Sequence, residues 1–213
     1  MALLTRVLEL VVPPFCWECG GTAGSDRPLC RECHLLLRWL GEEQVELAGV
    51  RLWAAVAYEG PARSVVRGLK YRGAAGLARP MAAQIAAGAP AGLLESPAAL
   101  VPVPLHPRRR RRRGYNQAER LADALSRRTG LPVADVLYRR GPAGHQVGRS
   151  REERLARLGG AVAVSPRAAP PTRAVLVDDV TTTGATLSAC AAALLAAGSR
   201  SVRAVTYART PGR

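Results

Sequence analysis

Lysine is almost absent from this sequence. Lys70 is the only one, so nearly all of the 31 basic residues are arginines. Acids are scarce as well, 16 against those 31, which leaves a net charge of +15. Also missing is any run near the ~20 apolar residues of a membrane span, because Gly, Pro or charge breaks even the Ala-rich stretches. No membrane insertion is therefore expected. The first residues, MALLTRVLELVVPPF, carry only a short apolar run interrupted by Arg6 and Glu9, with no cleavage-site pattern for secretion. A cytoplasmic location is expected. No Gly-Lys-Ser/Thr is present, which argues against a P-loop.

What is present is enough for a globular fold. At 213 residues and 48% hydrophobic content, the chain suits one medium domain plus a small module. The positive charge is uneven: residues 100 to 160 hold 15 Arg and 5 acids. Such concentration points to an anionic partner, nucleic acid ahead of an acidic membrane surface. A genome-wide bias toward Arg, Ala and Gly would also produce much of this pattern.

The stretch that organises the rest is AVLVDDVTTTGAT, Ala174 to Thr186. Ala174 to Val177 are apolar and mostly β-branched, as in a strand buried on both faces of a parallel sheet. Asp178 and Asp179 stand where that strand would reach its carboxyl end. Thr181, Thr182, Thr183, Gly184, Ala185 and Thr186 then make a hydroxyl-rich turn before an Ala/Leu helix. Backbone amides there, with the positive end of the helix, form an anion site suited to a phosphate. The acids must take other targets, sugar hydroxyls or a Mg²⁺ ion that accompanies the ligand.

This stretch closely resembles the phosphoribosyl pyrophosphate (PRPP) motif of type I phosphoribosyltransferases. The resemblance implies Asp178 and Asp179 on the ribose and Thr181 to Thr186 on the 5-phosphate. Strand and helix candidates alternate along the chain, which argues for an α/β fold: a parallel sheet flanked by helices, with the ligand at strand carboxyl ends. Strand candidates are GVRLWAAVAYEG within residues 41 to 60, then from Leu100, 131 to 139, 160 to 164 and 202 to 207. Helices are expected at residues 3 to 12, from Pro61 to Arg72, at 74 to 88, from Tyr115 or Asn116, from Arg149, and at 184 to 197. Cys190, within the last of these, reads as a buried small hydrophobe.

Near the start, Cys16, Cys19, Cys30 and Cys33 read C-x₂-C-x₁₀-C-x₂-C, and each pair can turn two thiolates toward one tetrahedral Zn²⁺. His34 is expected to face solvent, since four thiolates complete the shell. The division expected is a helix and zinc module over residues 1–40 and a phosphoribosyltransferase-like domain over 41–213. Trp17 and Trp39, with Arg27, Arg31 and Arg38, would either offer stacking and charge to single-stranded nucleic acid or pack the module onto the next domain. Two basic clusters remain. Lys70, Tyr71 and Arg72 end a helix, where they would reach a pyrophosphate or simply cap the helix. Arg108, Arg109, Arg110, Arg111, Arg112 and Arg113 read as a loop that meets either solvent or an anion such as a nucleic-acid backbone.

Taken in order, the Cys₄ knuckle, LKYRG, PVPLHPRRRRRRGYNQA, Gln146 with Arg154, and VLVDDVTTTGAT resemble the ComF (ComFC-like) family of competence proteins over nearly the full length. One departure is Arg157, where that family usually has asparagine. The resemblance implies a phosphoribosyltransferase domain behind a zinc module, Mg²⁺ with PRPP, and uptake of transforming DNA as single strands. A DNA-uptake helicase or another competence protein would be the partner. The alternative is an active phosphoribosyltransferase that joins PRPP to a nucleobase or amine, without a visible nucleophile.

Overall fold

The computed structural model describes residues 15–24, 27–96, 98–139 and 162–211. The helices expected at residues 3 to 12 and from Arg149, and the residues Gln146, Arg154 and Arg157, lie outside them.

A five-stranded sheet in the order β1-β2-β7-β6-β3 forms the centre, with β1 (Val45–Leu47), β2 (Val50–Ala57), β3 (Ala99–Pro102), β6 (Arg173–Thr181) and β7 (Ser201–Arg209). β1 is antiparallel to β2; the other three pairings are parallel. A separate antiparallel ribbon joins β4 (Leu137–Arg139) to β5 (Val162–Val164). The fold is thus α/β with a mostly parallel sheet, as the alternation of elements predicts.

Helices cover both faces because parallel strands are apolar on both. On one face, Val175, Val177, Val205 and Tyr207 pack with α2 (Gly60–Tyr71), α3 (Ala78–Gly88) and α5 (Gln117–Thr129), through residues such as Val66, Met81 and Leu125. On the other, Ala174, Leu176 and Ala204 pack with Leu187, Cys190 and Leu194 of α6 (Ala185–Ala196) and with Leu137 of the ribbon. Cys190 is fully buried, as its composition as a small hydrophobe suggests.

The strand expected in GVRLWAAVAYEG is β2, and β1 before it makes a hairpin with it, turned by Ala48 and Gly49 at positive φ. Three local expectations change. Residues 131 to 136 are not a full strand: they touch the free edge of β3 at a single bridge, Leu100 to Val133, before β4 begins. A short 3₁₀ turn, Ala75–Leu77, precedes α3, so the helix read over 74 to 88 starts later. The arginine loop is helical, forming α4 (Pro107–Arg113). Pro107 sits at its first position, the His106 ring accepts from the Arg108 N–H, and Gly114 closes it at φ 83°. Arginine is a good helix former, and none of these side chains is buried, so solvent screens the repulsion.

The cysteine segment docks at the sheet's edge. After α1 (Arg31–Leu35), residues 38 to 40 run along the outer edge of β2, where Leu40 N–H donates to Ala55 O at 3.0 Å and Ala57 N–H donates to Arg38 O at 2.9 Å. Trp17 lies on α2 so closely that a Cβ built at Gly68 would stand 2.6 Å from its ring. Between the two roles open to the tryptophans, Trp17 takes the packing one. Trp39 stays 45% exposed and meets the His34 ring edge-on, so His34 is half-buried and does not simply face solvent.

Candidate functional site

β6 runs four residues further than the apolar run alone suggests, pairing Asp178 with Thr206 and Thr181 with Arg209 in β7. The acids are therefore inside the strand, where alternation sends neighbours to opposite faces. Val175 and Val177 face α2, and Asp179 follows them. Its Oδ1 lies 3.0 Å from the Nζ of Lys70, with the lysine side chain 19% and the aspartate 1% exposed. Asp178 follows Ala174 and Leu176 toward α6. There its carboxylate, added to burial, pushes the Cys190 thiol up to about 12.

The two carboxyl groups behave differently. Asp178 Oδ1 accepts the Asp179 N–H at 2.8 Å. Burial, with the Asp179 charge beside it, nevertheless raises Asp178 to about 8, and Lys70 offsets only part of this. Burial by itself would lower Lys70, but the Asp179 and Asp178 carboxylates overcome it and hold the ammonium above its usual range. Asp179 Oδ2 is buried without a hydrogen-bond partner among the described residues. A buried carboxylate oxygen left over in this way is an acceptor with nothing to accept from.

Beyond the acids, the Thr/Gly turn leads into α6. Gly184 is the N-cap at φ 76° and has no side chain with which to cap the helix, while the Ala185 N–H makes a long hydrogen bond of 3.5 Å to Thr183 Oγ1. Thr182 and Thr183 are exposed, Thr186 is half-buried and Thr181 is buried. The tip of the β1–β2 hairpin rests on this turn, for a Cβ at Gly184 would stand 2.8 Å from Leu47 Cγ. Glycine there meets both demands, the left-handed backbone and the close approach.

A cavity of about 150 Å³ connects these parts; Lys70, Asp178, Asp179, Thr186, Arg109 and Arg113 are among its lining residues. A neighbouring cavity of about 330 Å³ shares Lys70, Tyr71, Arg109 and Arg113 and adds Arg112 and Gly73. Of the sequence candidates, Arg109 and Arg113 thus share a cavity with the acids, and Arg112 lines only the neighbouring one. Arg108 and Arg111 line neither cavity, and Arg110 turns away to Glu119 at 2.5 Å. Lys70 and Tyr71 line both cavities, whereas Arg72 lines neither and its N–H caps α2 on Gly68 O.

Several residues that hold this arrangement were not singled out by motif. Tyr115 OH donates to Leu69 O, tying the end of α4 to α2. Arg113 donates to Gln117 Oε1 and its guanidinium lies 5.5 Å over the Tyr71 ring. Arg139 reaches the smaller cavity from the ribbon, donating through Nε to Pro104 O at 2.9 Å. Asn116, 1% exposed, caps α5 by accepting from Ala118 N–H and fastens it to β3 by donating to Val103 O at 3.0 Å. Apart from the local Asn116 cap, no spacing rule reveals these contacts, since they join separate elements.

Cys16, Cys19, Cys30 and Cys33 converge with all four Sγ atoms within 4.8 Å of one another, and Cys19 and Cys30 are 3.9 Å apart. Thiolates about 2.3 Å from one ion in a tetrahedron would be separated by nearly this distance, so the cluster fits a metal such as zinc. Burial would raise Cys16, but backbone N–H groups of Cys19, Cys30 and Glu18 outweigh it and lower the thiol to about 6, toward the ligating form.

No helix among the described residues is long and apolar enough to cross a membrane. No protein-family model matches the chain. Among solved structures, orotate phosphoribosyltransferase from Aeropyrum pernix aligns over 78% of this chain and 72% of that one, at 19% identity and a TM-score of 0.37, too distant to carry an argument about function. The sequence relationship is stronger. The matched stretch is 98 residues, 45% of this chain and 43% of its relative, so the chain spans less than half the length of that protein. Across it the chain is 43% identical to Competence protein F of Haemophilus influenzae, and the resemblance to the ComF family carried by the motifs rests on this direct likeness.

Proposed function

We propose that the cleft between β6, α2 and α4 binds PRPP or a related phosphosugar, and that the protein handles single-stranded DNA during DNA uptake. The observation that carries the first part is Asp179 Oδ2, a buried acceptor without a partner among the described residues, followed in the chain by the Thr/Gly turn at the start of α6. Ribose hydroxyls would supply its missing donors, with Asp178 beside it, and the 5-phosphate would lie on Thr181 to Thr186. Lys70, Arg109 and Arg113 would then face the pyrophosphate. Mg²⁺ fits this donor set only in company with ligand oxygens, because Lys70 already occupies one oxygen of Asp179. Residues 1–40 are an accessory zinc module in this reading, and 41–213 the phosphosugar-binding domain. The competence role rests on the likeness to Competence protein F and on the basic surface.

Calorimetric titration of PRPP with Mg²⁺ tests the site. The wild type should bind, and the variant carrying Asp178→Asn and Thr183→Val should lose at least about tenfold, the equivalent of about 1.4 kcal/mol. A wild type that binds neither PRPP nor ribose 5-phosphate would refute this reading. The cations over the acids would equally stabilise a departing pyrophosphate. A phosphoribosyltransferase reaction is therefore the second reading, and steady pyrophosphate release with one defined base or amine would establish it.

A further inference from the structure

A larger hollow lies elsewhere, in the seam between the cysteine module and the α3 and α5 face. It measures about 840 Å³ and is open to solvent; its walls include Phe15, Trp17 and Arg27 from the module, Arg79 and Gln84 from α3, and Arg128 from α5. Among the described residues no acid lines it. Arg27, Arg79 and Arg128 are exposed, and among the described residues none of them is within ion-pair distance of a carboxylate. Three guanidiniums lining one groove make it attractive to an anion. Phe15 is 49% exposed with its ring centroid 5.0 Å from that of Trp17. Gln84 Oε1 is buried without a hydrogen-bond partner among the described residues, so the groove also holds a polar edge.

We infer that this groove is a single-stranded nucleic-acid site, in which Arg27, Arg79 and Arg128 contact phosphates, Phe15 stacks on an unpaired base and the Gln84 amide bonds a base edge. The inference rests on the single-stranded DNA reading above and assigns it a place separate from the acid cleft. An acidic peptide would match the arginines but leave the aromatic pair and the amide unused. A lone phosphate or sugar phosphate would leave most of the groove empty. A strand with exposed bases uses all three features, since stacking platforms beside a cationic track are how such strands are held without sequence readout.

The test is fluorescence anisotropy with a labelled oligo(dT) of about twenty nucleotides over a series of salt concentrations, on zinc-loaded full-length protein. Arg79→Ala with Arg128→Ala should weaken binding and make the salt dependence shallower by about 1.4 in logarithmic slope, about 0.7 for each phosphate lost. Phe15→Ala should leave that slope unchanged while weakening binding about tenfold, and it should abolish the preference of the wild type for oligo(dT) over an abasic strand of equal length. All three changes lie on exposed side chains, and zinc content with far-ultraviolet circular dichroism checks that the fold is kept. Wild type that binds oligo(dT) equally well with and without these changes would overturn the assignment while leaving the single-stranded DNA reading in place. Failure of the wild type to bind oligo(dT) at all would overturn both. Equal binding of oligo(dT), the abasic strand and polyglutamate would show that the groove answers to charge alone and would also overturn it.

Discussion

Lys70 Nζ and Asp179 Oδ1 are 3.0 Å apart, joining the last turn of α2 to the end of β6 beneath the candidate cleft. Asp179 is 1% exposed, so its charge has almost no water to fall back on. Lys70→Met should destabilise the fold by about 3 kcal/mol, because removing one partner strands the other. Adding Asp179→Leu should recover most of that loss. Urea unfolding of both variants is the measurement, and a single variant within about 0.5 kcal/mol of wild type would contradict the pairing. Lys70's raised folded-state pKa contributes stability that is fully present below its unfolded value of about 10.4 and lost as pH climbs through the folded one.

Asp178 gives the opposite end of the pH scale. Its folded pKa of about 8 lies above the unfolded value of about 3.9, so its contribution is fully present below pH about 4 and declines as pH rises toward 8. The full slope for one proton is about 1.4 kcal/mol per pH unit. Partial exposure reduces it, and about 1 kcal/mol per unit or less is expected. Asp178→Asn should flatten the stability curve between those limits, and an unchanged slope would disprove the shift.

At Gly184 two constraints coincide, φ of 76° and a Cβ position 2.8 Å from Leu47 Cγ. Gly184→Ala should cost about 2 kcal/mol, from left-handed strain plus the clash. It should also weaken any phosphate binding at the turn. Combining it with Leu47→Ala should restore part of the stability, since only the clash is relieved. Paired denaturation curves decide this, and full recovery would mean that the backbone is not strained.

Gly68 seats the cysteine module. A methyl group there would approach the Trp17 ring at 2.6 Å and Leu77 at 2.7 Å, so Gly68→Ala should displace Trp17 at a cost of about 1 to 3 kcal/mol. The observable is a red shift of tryptophan emission, and an unchanged spectrum would place Trp17 elsewhere.

For the metal, Cys19→Ser should reduce zinc content well below the wild-type stoichiometry, and chelation of the wild type should loosen the same tryptophan. Loading the apo protein should release protons in an unbuffered titration, since the ligands bind as thiolates. Zinc content unaffected by Cys19→Ser would rule the four-cysteine site out.

Much of this was legible along the chain because it is local. The C-x₂-C pairs needed only short turns to bring thiols together, and the apolar run before Asp178 needed only strand periodicity. Asn116 as a cap was readable from its place before an amphipathic helix. The arginine run misleads on its own, because repulsion suggests a loop; Pro107, His106 and Gly114 supply the boundary signals for a helix instead.

The sequence by itself determined that a buried apolar strand leads into Asp178 and Asp179; that the strand runs on through them, sending them to opposite faces, came from their pairing with β7. The sequence also determined that the turn after them is free of bulky side chains. Only the tertiary structure decided that Asp179 is the acid that meets Lys70, that Arg109 and Arg113 close over the pair while Arg110 turns to Glu119, and that Trp17 is packed against Gly68. Those outcomes depend on which helix lands on which face of the sheet. That choice is made by burial of whole apolar surfaces, to which no single motif contributes enough free energy to decide the result.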